Sequence, residues 1–309
     1  MPGPSHAPFP HKTWANYLDV LLPLVTGFLV VPLEDAHDAP QWLRELYALS
    51  PVTPKFAHEH LVFSRSAWTE GRYYTAVTHC FSHENPSHLF NNISSLVFAG
   101  KNVYTHTANT FEFYLIFFSS VGASAYLTTL KDELQLMPMA QSFVPRNPFP
   151  SSWRRLHGWY DNKAGKVTRS ANHFLSQYVI YRGASAGVFG LIGASAVIQV
   201  EELWAWGHEM WMIYRQKTSV DSTTWRRLGL SFLGLGYNFC SLYGMIKGEY
   251  LLRSTNDGIG HSFHIDGFVS GAIIYVGVRC AEGVTKYAKG RNRQRGIGRR
   301  LGGRGTTET

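Results

Sequence analysis

The chain has 309 residues, of which 45% are hydrophobic, 14% aromatic and only 16% charged. A soluble domain carries nearer to ~25% charged residues, so the composition leans towards a membrane protein, and the length suffices for about six helices of roughly 20 residues. The formal charge of +8 is concentrated in a tail, with nine Lys or Arg from Arg279 to Arg304, which argues against an extended nucleic-acid-binding face; Cys80, Cys240 and Cys280 lie too far apart for a CxxC metal site or a disulfide framework.

The N-terminal segment, residues 1–16, is rich in Pro and lacks the basic start and small-residue cleavage site of a signal peptide. The first apolar run is therefore expected to stay in the mature chain. That run, Tyr17 to Leu33, is apolar except for Asp19. A first loop over 34–87 leads to His88 to Val103, the least hydrophobic stretch, and then to Phe111 to Leu130. A third loop over 131–177 contains PRNPFPSSWRRLHGWYDNK. Tyr178 to Val200, Leu228 to Ile246 and His261 to Val278 complete the set and are rich in Gly, Ala and Ser. Small residues let helix backbones approach closely in lipid, so these last three are expected at the centre of the bundle.

The expected fold is all-α, a polytopic membrane bundle of six transmembrane helices over residues 17–280. Neither long loop reads as a separate domain. Trp42, Trp68, Trp153 and Trp159 are either interfacial anchors or plain loop aromatics. The tail, 281–309, is almost free of apolar residues and is predicted to be disordered and cytosolic. An even number of spans puts both termini on that side; the seven Lys or Arg of the third loop, which would then face outward, run against the assignment.

Candidate chemistry begins at Gly183 to Gly187, GASAG, where Ser185 stands in a GxSxG arrangement whose small neighbours leave room for a nucleophile and its oxyanion donors. A base is offered by His264, in the run GHSFHIDGFVSG, because an ionisable side chain inside a span is costly and is a functional hypothesis by default. Gly267 and Gly271 form a small-xxx-small face on which a second helix can settle. His88 and Asn92 are four residues apart, hence on one helix face, and both can donate hydrogen bonds to a developing oxyanion. The N-I-S sequon at Asn92 is discounted because it enters a span.

These groups lie near the starts of the second, fourth and sixth spans, which run in one direction, so all fall within roughly 5 to 12 Å below one membrane face. Asp257 and Asp266 are poorly placed as a third triad member, and a Ser–His dyad is expected.

The set His88-xxx-Asn92, Gly183-x-Ser185 and His264-xx-Gly267-xxx-Gly271, on alternate spans, resembles the rhomboid intramembrane serine proteases. That resemblance implies Ser185 as nucleophile and His264 as general base, with His88, Asn92 and the Ser185 amide at the oxyanion. It also implies a ring at Phe189 stacked on the histidine, and it extends to His83 in HxxxxHxxxN. Ala186, where Gly is frequent, and the loose Trp68 and Arg72 echo of a first-loop pair depart from the pattern. The implied activity is cleavage of transmembrane protein substrates near the bilayer surface. No metal, cofactor or nucleic-acid partner is expected, and a secretory-pathway membrane is preferred to the mitochondrial inner membrane. Two rivals are a non-proteolytic rhomboid-like client-binding protein and a soluble α/β-hydrolase in which YVIYRGASAG is a strand and nucleophile elbow, with Asp221 or Asp257 as the acid.

Overall fold

The computed structural model describes residues 14–36, 38–107, 109–133, 180–216, 222–251 and 261–302. Trp153, Trp159, Asp221, Asp257 and most of the third loop lie outside them. The long elements are α1 (Trp14–Val30), α6 (Pro86–Thr107), α7 (Thr110–Glu133), α8 (Ser185–Gln216), α9 (Ser222–Leu251) and α10 (His261–Gly302). The first loop folds into α2 (Gln41–Ala48), α3 (Pro54–His60), α4 (Arg65–Thr69), α5 (Thr75–Thr78) and a 3-10 turn, His79–Phe81. Within it β1 (Phe63–Ser64) pairs antiparallel with β2 (Ile180–Tyr181).

Local chemistry explains the first-loop helices. The Thr53 side chain accepts from Phe56 N with Pro54 at the first helical position, and the Ser64 side chain accepts from Ala67 N. Each satisfies one of the amides that a helix start leaves unpaired. Arg72 then ties the loop to itself, donating to the Glu59 carbonyl at 2.5 Å and to the Glu70 carboxylate.

Among the described residues three helices are long and apolar enough to cross a membrane, over Thr110–Leu130, Ser185–Arg215 and Phe263–Thr285. Six such segments are expected from the sequence. The difference has a physical cause. Trp14–Val30 and Leu228–Cys240 are apolar but shorter, and α6 carries His88, Asn91, Asn92, Lys101, Asn102 and His106 along its 22 residues. Several of its polar groups are turned inward: Asn92 is buried, and Asn102 donates to Ser195 Oγ at 2.6 Å.

Two expectations are corrected. The fourth stretch is not one continuous helix: residues 180–181 form β2, the chain turns at Gly183 with φ +93°, and it becomes helical only at Ser185. Aromatic and β-branched residues favour the extended form here, and the left-handed backbone at Gly183 cannot continue a helix. At the other end α10 does not stop near Val278 but runs to Gly302, through residues predicted to be disordered. Its Lys, Arg, Gln and Ala are straight-chain or small residues that lose little freedom in a helix.

Of two core clusters the smaller gathers Phe63, Ala76, Ala125, Ala186 and Phe263, and the larger buries Tyr17 and Phe28 of α1, Leu89 and Leu96 of α6, Phe113 and Phe117 of α7, and Leu191 and Ile198 of α8. Hydrogen bonds pin the periphery to it: Tyr17 Oη donates to the Leu96 carbonyl at 2.6 Å and Tyr114 Oη to the Val20 carbonyl at 2.8 Å. α8 occupies the middle and packs against α6, α7, α9 and α10.

Its contact with α10 is backbone on backbone. A Cβ at Gly267 would run into the Ala186 carbonyl, one at Gly271 into the Gly190 carbonyl, and one at Gly193 into the Phe268 carbonyl. Gly277, further along α10, has open space around it. Forcing a side chain against a carbonyl of a packed helix separates the pair, whereas one facing open space does not. Gly271→Val is therefore expected to destabilise the protein by about 3 kcal/mol or more and Gly277→Ala by less than about 0.5 kcal/mol, measured as thermal midpoints of purified protein in detergent.

Candidate active site

Ser185 is the first residue of α8, and the residues before it are held from three sides. Tyr181 opposes Phe63 across the β1–β2 pair and stacks on Phe263 of α10, with ring centroids 4.8 Å apart and planes 17° apart. Gly183 N donates to the His79 carbonyl at 3.0 Å, and Ala184 N approaches His83 Nε2 at 3.5 Å. The serine is thus fixed where strand gives way to helix.

His264 is the fourth residue of α10, and its Nε2 lies 2.9 Å from Ser185 Oγ. With Nε2 unprotonated, the hydroxyl donates to it, which is the geometry for taking the serine proton. Phe189, one turn after Ser185, stacks on the imidazole with centroids 4.6 Å apart and planes 29° apart. The ring restricts His264 to the orientation that faces the hydroxyl. Gly267 and Gly271 lie one and two turns on, so the glycine contact that seats α10 on α8 also sets this distance.

The donors come from α6. A Cβ placed on Gly183 would lie 2.6 Å from His88 Cε1, 2.7 Å from His88 Nε2 and 3.2 Å from Asn92 Nδ2. Both side chains therefore crowd the Gly183 to Ser185 turn, and glycine is the residue that leaves them room. Asn92 Nδ2 is buried without a hydrogen-bond partner. A buried amide donor left unpaired is costly, and it is the type of group that awaits an incoming acceptor. The unpaired amides at the start of α8 add the positive end of the helix dipole at the same place. Negative charge developing on an oxygen beside Ser185 would meet all of these.

Ser185, His264, Phe189, Gly183, His88 and Asn92 thus lie together, and Gly267 and Gly271 continue along the contact between α8 and α10. Asp266, expected to be poorly placed as a third triad member, is buried on α10. Among the described residues no cluster of His, Cys, Asp or Glu is arranged to hold a metal ion.

A Rhomboid domain family model matches residues 70–140, well under half of the chain. That stretch is similar to a Rhomboid domain. No curated protein and no solved structure matches it significantly. The matched stretch contains His83, His88 and Asn92, whereas Ser185, His264 and their glycines lie beyond it. Together with the three long apolar helices, the match makes the chain an integral membrane protein of helical build.

Other groups around the candidate site were not singled out from the sequence. Arg182 pairs with Glu34 of the segment after α1. His79, buried in the 3-10 turn, places Nδ1 3.0 Å from the Thr75 carbonyl and its ring edge-on to Phe263 at 5.3 Å. The one signal for it was position: His79, His83 and His88 recur every four or five residues. Burial pushes the His79 imidazole down to about 4 and the His83 imidazole, helped by the neighbouring His88, down to about 3.

Both histidines are therefore neutral when folded and take up protons below about pH 6.5 only on unfolding. Their contribution to stability is complete above that pH and is lost as the pH falls through the folded values. The thermal midpoint in detergent is expected to fall steeply from pH 6.5 to pH 4, and His79→Gln to flatten that fall by about 3 kcal/mol at most; an unchanged pH profile in the variant would contradict this.

Proposed function

We propose that this rhomboid-family chain is an intramembrane serine endopeptidase, with Ser185 as nucleophile and His264 as general base. The 2.9 Å approach of Ser185 Oγ to His264 Nε2 carries the reading. A two-residue strand and a turn do precede Ser185, as the α/β-hydrolase rival requires, but the helices around them are those of a bundle. The shared feature is the strand–turn–helix that exposes a serine at a helix start.

Six crossings are proposed, formed by α1, α6, α7, α8, α9 and α10. Residues 17–280 form the membrane domain, and the termini lie on the side away from the Ser185 end. The substrates are transmembrane segments that unwind near the bilayer surface and present an extended peptide to Ser185.

In the reaction His264 Nε2 accepts the Ser185 hydroxyl proton as Oγ attacks the scissile carbonyl carbon. The carbonyl oxygen, now negative, takes hydrogen bonds from Asn92 Nδ2, from the His88 ring and from the Ser185 amide. His264 then passes the proton to the leaving amine, the carbon–nitrogen bond breaks, and an ester to Ser185 remains. A water deprotonated by His264 attacks that ester and returns the enzyme to its starting state.

The experiment is labelling and cleavage by full-length protein in detergent and in proteoliposomes. A fluorophosphonate is expected to label the wild type, and Ser185→Ala and His264→Ala to abolish both labelling and cleavage of a model transmembrane substrate. Asn92→Ala is expected to lower kcat by about 10²–10³-fold with little change in KM, because its amide acts on the transition state. Cleavage retained in Ser185→Ala would overturn the assignment. A folded wild type that neither labels nor cleaves would favour a client-binding role.

A further inference from the structure

We infer that Arg182 and Glu34 form a charged clasp that positions the Gly183 to Ser185 turn against the loop carrying His79 and His83, an inference that rests on the proposed role of Ser185. Arg182 stands between two residues whose places are fixed. Tyr181 is paired with Phe63 and stacked on Phe263, and Gly183 turns the chain beside His88. From this turn the Arg182 guanidinium reaches back to the Glu34 carboxylate.

The partner segment grips the same loop from its other side. Glu34 N donates to the His83 carbonyl at 3.3 Å and Asp35 N to the Glu84 carbonyl at 2.8 Å. On the near side Gly183 N donates to the His79 carbonyl, and Ala184 N approaches His83 Nε2. Residues 79–84 are therefore held between two backbones, those of 34–35 and 183–184. The Arg182–Glu34 pair joins these backbones and closes a ring around the loop. His88, at the start of α6, follows that loop by a few residues and inherits its placement.

The two ends of the clasp differ in environment. The Arg182 side chain is 9% exposed, and its Nε is buried without a hydrogen-bond partner, whereas the Glu34 side chain is 55% exposed. A buried guanidinium that loses its carboxylate keeps its desolvation cost, so the turn relaxes to bring the charge to water. Arg182 makes no contact with Ser185 Oγ or His264 among the interactions described, and it acts as a positioning residue. Its effect is on where the serine and the oxyanion donors stand, and displacements of about 1 Å at such groups cost up to 10²-fold in rate.

The test compares full-length wild type with Glu34→Gln, Arg182→Gln, Arg182→Lys and the swapped pair Glu34→Arg with Arg182→Glu. Two readouts are taken: kcat and KM on a transmembrane substrate, and hydrogen exchange of the Gly183 and Ala184 amides, which needs no activity. Each Gln variant is expected to speed exchange at these amides about tenfold and to lower kcat about tenfold with KM within about twofold. Exchange in α7 stays as in wild type, which separates a loosened turn from a protein that fails to fold. Arg182→Lys and the swapped pair recover both readouts to within about threefold. Wild-type exchange and kcat in the Gln variants, or a swap that restores neither, overturns the clasp. An inactive wild type counts against the protease reading alone, and the clasp then stands or falls on exchange.

Discussion

The arrangement depends on how closely α8 and α10 approach. Lipid offers no hydrophobic drive to press two apolar helices together, so their association depends on van der Waals contact and on polar groups that find partners. Gly267 and Gly271 on one helix and Gly190 and Gly193 on the other bring carbonyl oxygens to where side chains would otherwise stand. Ser185 and His264 extend from the same pair of helices by one hydrogen bond of 2.9 Å. Packing and chemistry are one contact here, and a change in helix separation alters both.

The second constraint is where polarity is allowed. His88, Asn92, Ser185 and His264 gather at one end, while at the other His106 Nε2 lies 2.7 Å from Glu202 Oε1, Ser231 Oγ donates to Glu202 Oε2 at 2.8 Å, and Tyr275 Oη donates to Glu201 Oε2 at 3.1 Å. Between these two polar layers lie Leu96, Phe113, Phe117 and Leu191, all fully buried. The layering explains α6, whose Asn102 and His106 are satisfied by Ser195 and Glu202 of α8 rather than by water, while Asn92 at the other end keeps an open amide. Asn238 donating to Gln199 at 2.7 Å links α9 to α8 in the same way.

The legible part of the sequence was the part written in short spacings. The four-residue step from His88 to Asn92, and the three- and four-residue steps from His264 to Gly267 and on to Gly271, each fix a helix face without reference to the rest of the fold. The start of α8 was less readable. Tyr178 to Val200 is largely apolar, and hydropathy does not distinguish a strand that turns into a helix from a helix alone; the left-handed backbone at Gly183 decides it. The first loop was read as connection because α2 to α5 are four to eight residues long, below the length at which periodicity is informative. Arg182 and Glu34 are 148 positions apart, and nothing local in either marks the other as its partner.

The position of the helix start changes the account of depth. With Ser185 seven residues inside a helix, the site would lie below the membrane surface by helix geometry alone. Ser185 is instead the first residue of α8 and His264 the fourth of α10, so both stand within about 5 Å of the helix ends. Separation from bulk water therefore has to come from what lies over those ends. The β1–β2 pair, the 3-10 turn and the rings of Phe63, Tyr181 and Phe263 pack beside the strand that leads to Ser185. Ser185 is buried although its helix has barely begun. The first loop is accordingly part of the site: it supplies the cover that a deeper serine would have received from the bundle, and it does so through the same residues that hold Gly183 in its turn.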